Sequence, residues 1–186
     1  GIGNTTYIGN TVNQMGDNLP SVDLGSGRTA KQMSVGGFHT CLILDNEDLK
    51  CWGYGGQGQL GIGNTNNIGD GAGEMGDNLI SPTIPSSYIK AVIGGFRSTC
   101  VIIFDDSVRC FGYNAYGQLG IGNTNSIGDG AGEMGNDLAI ADLGDNITAL
   151  SLDSGNFRYC AITNTRDVKC WGYNHVGQLG IGNTNS

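Results

Sequence analysis

The chain reads as an all-β protein of three tandem, four-stranded antiparallel propeller-type blades, forming an incomplete or open β-propeller. Three observations predict this: self-similarity with a period of about 60 residues, short apolar runs of strand length in every period, and 34 glycines in 186 residues. Such self-similarity has to be settled first, because a missed repeat misassigns the whole fold. Glycine at this frequency, beside only three prolines and ample apolar residues, fits a fold full of tight turns, where φ > 0 is needed often.

The pentapeptide Gly-Ile-Gly-Asn-Thr begins at Gly1, Gly61, Gly120 and Gly180, at spacings of 60, 59 and 60. Gly-Gln-Leu-Gly stands at Gly58–Gly61, Gly117–Gly120 and Gly177–Gly180. Met-Gly-(Asp/Asn)-(Asn/Asp)-Leu stands at Met15–Leu19, Met75–Leu79 and Met134–Leu138. The period divides the chain into repeats at 1–60, 61–119 and 120–179, and 180–186 start a further copy.

Each repeat carries three clear strand candidates. The first strand is expected at Arg28–Val35, Tyr88–Ile93 and Ile147–Leu152. The second is expected at Cys41–Leu44, Cys100–Phe104 and Cys160–Thr163, and the third at Leu49–Tyr54, Val108–Tyr113 and Val168–Tyr173. Short polar segments (Asp45–Asp48, Asp105–Ser107, Asn164–Asp167) join the second strand to the third, as in a hairpin. A fourth short strand near Gly-Gln-Leu-Gly would complete the blade. No segment of useful length has a 3.6-residue apolar period, and four short strands per repeat suit a propeller better than a helical solenoid.

A cysteine pair with nine residues between sits in every repeat: Cys41/Cys51, Cys100/Cys110 and Cys160/Cys170. Six cysteines can pair in 15 ways, but each of these pairs brackets a hairpin turn. Opposed residues on adjacent antiparallel strands lie within disulfide reach. The pairing sets a parity condition. Residue 46 must lie at the apex, so the loop holds an odd number of residues or a bulge; a two-residue turn would point the two thiols to opposite faces. The competing reading is six buried reduced thiols packing as small hydrophobes. Zinc is disfavoured, because there is no Cys-x2-Cys pair and neither histidine is repeated. Disulfides imply an oxidising compartment, hence an extracellular or cell-surface location. The sequons Asn4-Thr5-Thr6 and Asn146-Ile147-Thr148 are glycosylation candidates in that compartment.

The formal charge of −8, from 17 acidic and 9 basic residues, opposes binding to nucleic acid or an acidic membrane, since phosphate recognition needs a Lys/Arg footprint. No run of 18 apolar residues exists to insert into a bilayer. The chain starts at Gly1 inside a repeat motif, which reads as a processed product or a fragment.

Catalysis has little to draw on. The two histidines are His39, aligned with Ser98 and Arg158, and His175, aligned with Gly56 and Ala115. Neither sits with a nucleophile and an orienting acid, so the chain is expected not to be an enzyme and to need no cofactor. Gly61-Ile62-Gly63 precedes no helix that could present its N-terminus to a phosphate, and no Gly-Lys-(Ser/Thr) occurs. Asp70, Glu74 and Asp77 cluster in one insertion loop, and Asp129, Glu133 and Asp137 in the next. Such carboxylates suit Ca²⁺, but the first copy reads Asn10, Gln14 and Asp17 and no EF-hand spacing is present. A hydrogen-bonded loop bridging neighbouring blades is the favoured reading, with calcium left open. Trp52, Phe111 and Trp171 share one position and read as a packing layer; Tyr54, Tyr113 and Tyr173 are expected to pack between blades.

The strings Gly37-Phe38-His39-Thr40-Cys41, Lys50-Cys51-Trp52-Gly53-Tyr54 and Gly58-Gln59-Leu60-Gly61 resemble the signature of the regulator-of-chromosome-condensation repeat family. Arg109-Cys110-Phe111-Gly112-Tyr113-Asn114 and Lys169-Cys170-Trp171-Gly172-Tyr173-Asn174 carry the same resemblance. It implies blades of four antiparallel strands around a central axis, in rings that usually close with seven. The Met-Gly-Asp-Asn-Leu insertion resembles a variant of secreted or surface multi-repeat proteins. The acidic chain lacks the basic tails of chromatin- and GTPase-binding members, so exchange-factor activity is not carried over.

A repeat of this kind buries its apolar faces only against neighbours, and three blades leave two faces open. The leading expectation is a non-catalytic extracellular structural module that stacks through its blades into a larger propeller or a filament. Its partners would be further repeats of the same chain or another copy. The alternative is a secreted binding propeller that recognises a protein or glycan through its loops. Residues 180–185 nearly repeat residues 1–5 and would claim the same slot in a head-to-tail contact, which points to excision from a longer array or to strand exchange.

Overall fold

The computed structural model describes residues 1–86 and 88–185. Nine strands form three antiparallel meanders: β1 Ala30–Val35, β2 His39–Leu44 and β3 Leu49–Gly53; β4 Ile89–Gly94, β5 Ser98–Ile103 and β6 Val108–Gly112; β7 Ala149–Ser154, β8 Arg158–Thr163 and β9 Val168–Gly172. The first strands begin a residue or two later than the apolar pattern suggests. Each carries a bulge at the same place, between Ala30 and Gln32, Ile89 and Ala91, and Ala149 and Ser151.

Among the described residues each blade has three strands, and the fourth expected strand is not formed. The segment after β3 turns twice, with Gly58 N–H donating to Gly55 O and Gly61 N–H to Gly58 O. Gly61 and Gly63 then sit in the left-handed region, at φ +64° and +70°, where a strand would have to be extended. What remains of a fourth strand after the Gly-Gln-Leu-Gly motif is single bridges, Ile68 against Gly53 and Ile127 against Gly112.

The β2–β3 hairpin meets the parity condition. Cys41 faces Cys51, Cys100 faces Cys110 and Cys160 faces Cys170, with Cα atoms 4.1 Å apart in each pair, and all three pairs are disulfide-bonded. The loop is the three-residue type: Glu47 N–H donates to Leu44 O, Leu44 N–H to Asp48 O, and Glu47 takes the left-handed conformation. Asp106 and Arg166 do the same in the later hairpins. Each bridge closes a short loop and contributes about 2–3 kcal/mol on chain-entropy grounds.

No blade has a core of its own. One apolar cluster joins Ile43, Leu49 and Leu60 of the first repeat to Ile89, Val92, Val101 and Phe111 of the second. The next joins Ile102, Val108 and Leu119 to Ala149, Tyr159 and Ala161. The inner strands come close enough that a Cβ on Gly94 would lie 2.8 Å from Gly36 N. Backbone and hydroxyl bonds stitch them: Gly94 N–H donates to Ser34 Oγ (2.9 Å), Ser154 Oγ to Gly94 O (2.7 Å), Gly37 N–H to Gly95 O (3.0 Å) and Phe96 N–H to Asn156 O (2.9 Å).

Each junction also encloses one polar pair. At the first, Thr99 Oγ1 donates to Gln59 O (2.8 Å) and so accepts from His39 Nε2–H (2.8 Å). That assigns the Nε2–H tautomer and leaves Nδ1 without a partner among the described residues. At the second, Ser98 Oγ pairs with Tyr159 OH at 2.9 Å, and burial pushes the phenol pKa up.

Burial lowers the His39 pKa from 6.5 to about 4, so the fold holds a neutral imidazole and the unfolded chain takes the proton first. The stability this group contributes is complete above pH 6.5 and is lost as pH falls towards 4. Denaturant unfolding at pH 7.5 and pH 5 should therefore differ by about 2 kcal/mol more in the parent chain than in His39→Gln. Equal pH dependence in the two would refute the assignment.

Candidate interaction surfaces

The aromatic at the shared third-strand position sits on a glycine seat. A Cβ on Gly1 would fall 2.7 Å from Trp52 Nε1, one on Gly61 2.8 Å from Phe111 Cε2, and one on Gly120 3.0 Å from Trp171 Nε1. The first glycine of Gly-Ile-Gly-Asn-Thr thus receives the aromatic of the following blade, and side-chain bulk there would block it. Trp171 adds a hydrogen bond from Nε1 to Gln118 O (3.0 Å). Gly180, the fourth such glycine, has no atom of the described residues within 4 Å of its Cβ direction.

Aligned positions measure how open the end faces are. Ile43 and Ile102 are 1% and 3% exposed, whereas Ile162 is 43% exposed; Leu49 and Val108 are 2% and 1% exposed, whereas Val168 is 66% exposed. The third blade therefore presents as surface what the first two use as core. On the opposite side, Met33 is exposed while its counterpart Val92 is buried.

A second surface gathers at the β1–β2 turns. Phe96 lies edge-on between Phe38 and Phe157, with centroids 5.0 Å away on each side. Tyr54 flanks Phe38, while Tyr113, Tyr116 and Tyr173 surround Phe157, and His175 stacks on Tyr173 at 4.4 Å. The guanidinium of Arg97 covers the rings of Phe38, Tyr54 and Phe96 at 5.6–5.8 Å. Phe38 is 52% exposed and Tyr116 37%. The three aligned tyrosines form this rim as half-buried residues, and each meets a neighbouring repeat: Tyr54 lies under Arg97, Tyr113 against Phe157 and Tyr173 against Tyr116. Phe96 and Arg97 were not singled out in the sequence, although a Phe three or four residues before the first Cys of each repeat was a usable signal.

The remaining candidates are dispersed. His39 is buried at a junction and His175 is exposed, with neither near the other's surroundings. Asn4 and Asn146 are both exposed, and Asn4 Oδ1 accepts from Thr6 N–H (2.9 Å). Among the described residues, no group of three or more His, Cys, Asp or Glu is placed to hold a metal ion. No helix among them is long and apolar enough to cross a membrane.

The family model for the regulator of chromosome condensation (RCC1) repeat matches residues 30–59 and 149–178, each covering one blade from its first strand past its third. Both matched segments are RCC1-type repeats. It is 28% identical over 162 residues to the Arabidopsis thaliana ultraviolet-B receptor UVR8, covering 82% of this chain and 31% of that protein. It is 25% identical over 187 residues to the human RCC1 domain-containing protein 1, covering 84% of this chain and 48% of the relative. The chain thus spans less than half the length of these relatives. Among solved structures, yeast RCC1 (Prp20) bound to Kap60 superposes with a TM-score of 0.60 at 20% identity, over 82% of this chain and 31% of that one. A second structure of Prp20p from Saccharomyces cerevisiae, described with its binding to Gsp1p and histones, gives the same score at 19% identity. These structures establish a shared propeller-blade fold.

Within this RCC1-type array the insertion loops link neighbouring segments. Asp77 accepts from Ser26 N–H and Oγ, both at 2.7 Å, which with these bonds keeps its carboxyl below the usual range. Gly76 N–H donates to Asp23 O, and Gly135 N–H to Thr83 O. Glu74 Oε2 accepts from Gly69 and Gly71 N–H (2.8 Å each), and Glu133 Oε2 from Gly128 and Gly130 N–H. In the first copy Gln14 Oε1 accepts from Gly9, Asn10 and Thr11 N–H. A neutral amide oxygen holds the same turn, so its shape requires neither a charge nor a cation. Burial, and then the charge of Glu133 beside it, raise the pKa of the Asp129 carboxyl.

Glu74→Gln should leave the melting temperature unchanged, with or without added calcium. Glu74→Ala, which removes two acceptor bonds, should cost about 1–2 kcal/mol, or roughly 4 °C. A calcium-dependent rise in Tm that Glu74→Gln abolishes would overturn the structural reading of this loop.

Proposed function

We propose that this chain is a non-catalytic structural repeat module of the extracellular space or cell surface, which stacks through its end blades on further repeats of the same kind to extend a propeller or filament. The observation that carries this is the pair of aligned series Ile43/Ile102/Ile162 and Leu49/Val108/Val168, buried in the first two blades and open in the third. Covering one such side chain is worth about 1.5–3 kcal/mol. Large apolar patches on a folded surface mark interaction sites, and here the internal junctions display the matching partner: the inner face of another RCC1-type blade. Three disulfides support an oxidising compartment. The net charge of −8 argues against nucleic acid as the partner.

Light scattering across a concentration series tests the proposal. The parent chain should exceed its monomer mass of 19.3 kDa, and Val168→Asp, at an exposed position, should return it to that mass without altering the fold. A parent chain that stays at 19.3 kDa at every soluble concentration would sink the reading.

A second reading, recognition of a protein or glycan through the loops, draws on the aromatic rim with Arg97 at its centre. Exposed aromatics and arginine are the residues that dominate binding energy at interfaces, and ring faces also suit sugars. On this reading Tyr116→Ala with Arg97→Ala weakens binding to an immobilised glycan panel or a defined protein ligand by roughly tenfold or more. The assembled mass should not change. Unaltered binding by the double variant would remove the rim from consideration.

A further inference from the structure

We infer that Tyr116 and Tyr173 form an oxidative coupling site, at which hydrogen peroxide and a haem peroxidase join the two phenol rings through a carbon–carbon bond. The product is a dityrosine that locks the second blade to the third. Each of the three disulfides lies within a single hairpin, so the blade junctions among the described residues are otherwise held without covalent cross-links.

The geometry singles out this pair among the seven tyrosines. The two rings come from adjacent repeats, with centroids 4.5 Å apart and planes inclined at 44°. Two rings already joined by one carbon–carbon bond have nearly this centroid separation, so coupling asks for side-chain rotation and leaves the blades where they are. Tyr116 is 37% exposed and Tyr173 is half-buried, which leaves the pair open to an oxidant from solvent. The other tyrosines lack one or more of these features. Tyr113 and Tyr116 are 6.1 Å apart, edge-on and within one repeat. Tyr159 is buried and bonded to Ser98. Tyr54 meets Phe38, and Tyr88 lies beneath Lys31. The repeat also supplies its own contrast. The residue before Gly-Gln-Leu-Gly is Gln57, Tyr116 and Val176 in turn, whereas Tyr113 and Tyr173 are aligned. The first junction therefore has Tyr113 in the place of Tyr173 but a glutamine in the place of Tyr116.

The step balances as follows. Each phenol gives up one electron and its hydroxyl proton. The two radicals then join through one ortho ring carbon each, and the hydrogens on those carbons move to the oxygens and restore both phenols. In sum two electrons and two protons leave, and the peroxidase uses them to reduce one hydrogen peroxide to two waters. All six cysteines are in disulfides, so no thiol of the chain is present to reduce a tyrosyl radical before it couples. Holding both rings in contact favours coupling within the chain over coupling between chains, because the partner's effective concentration is high. The bond would close a loop one repeat long and, like a disulfide, stabilise by restricting the unfolded chain.

The test treats the dilute folded chain with a haem peroxidase and hydrogen peroxide, then maps dityrosine by its fluorescence and by peptide mass. The expected product is a single chain two hydrogen atoms lighter, with a cross-linked peptide pair containing positions 116 and 173. Tyr173→Phe, which keeps the ring and removes the hydroxyl, should lower the yield of that pair at least tenfold. Gln57→Tyr should add a second cross-link, between positions 57 and 113. The coupled parent should also melt about 5–10 °C above identically treated Tyr173→Phe. Dityrosine found only at Tyr7 or Tyr88, which are 82% and 46% exposed, or only between chains, would overturn the site. A 116–173 cross-link that leaves the melting temperature unchanged would overturn its role as a lock.

Discussion

The whole structure depends on packing between blades. A three-stranded meander of five- and six-residue strands has two faces and nothing inside, so its apolar side chains are buried only when another blade or a segment between blades lies against them. In the middle blade, packed on both sides by other blades, every residue of β5 is buried; in the first blade the outward-facing Leu42, Leu44 and Trp52 are buried against Leu24, Met75 and Leu79 of the segments that precede β1 and β4. The disulfides belong to the same logic. Each lies within a single sheet, where it limits the freedom of a hairpin that cannot hold itself together; it does not tie one blade to the next. Intra-blade order comes from the hairpin and its bridge, and inter-blade order from the glycine seats and the apolar clusters.

Much of this was legible in the sequence, where a repeat multiplies every weak signal by three. The cysteine spacing implied an odd loop, and Asp45-Asn46-Glu47 with Glu47 in the left-handed region is that loop. The aromatic at 52, 111 and 171 read as a packing layer, and it packs against Gly1, Gly61 and Gly120. The fourth strand failed for a local reason. Apolar residues recur after Gly-Gln-Leu-Gly, but the glycines between them adopt conformations that a ladder cannot contain, and only isolated bridges survive.

The surfaces were harder to read, because they depend on which neighbours each repeat has and not on its own residues. Ile162 is the same residue type as Ile43 and Ile102, and its exposure follows from its place in the array. The aromatic rim escaped notice for a related reason. Phe96 stands one residue closer to its turn than Phe38 and Phe157 do relative to the aligned cysteines, so the three do not align in sequence. They nevertheless meet in space as successive turns step around the axis.

The polar pairs at the junctions add a constraint that apolar packing does not. His39 meets Thr99 and Ser98 meets Tyr159, each pair buried and hydrogen-bonded across its junction. Burial of unmatched polar groups is costly, so these pairs favour one register and one order of blades where the apolar surfaces alone would tolerate several. The third repeat has Arg158 at this position, half-buried, with its guanidinium over Gly155. Stacked on a first blade, Arg158 would bring five N–H donors towards the single hydroxyl of Thr40, which aligns with Thr99. On the proposed stacking that junction has to supply acceptors for a cation, whereas the two internal ones place a neutral imidazole and a hydroxyl there. The step proposed to extend the array is thus chemically distinct from the steps that build the module, because it brings a guanidinium to a position where the internal junctions have His39 and Ser98.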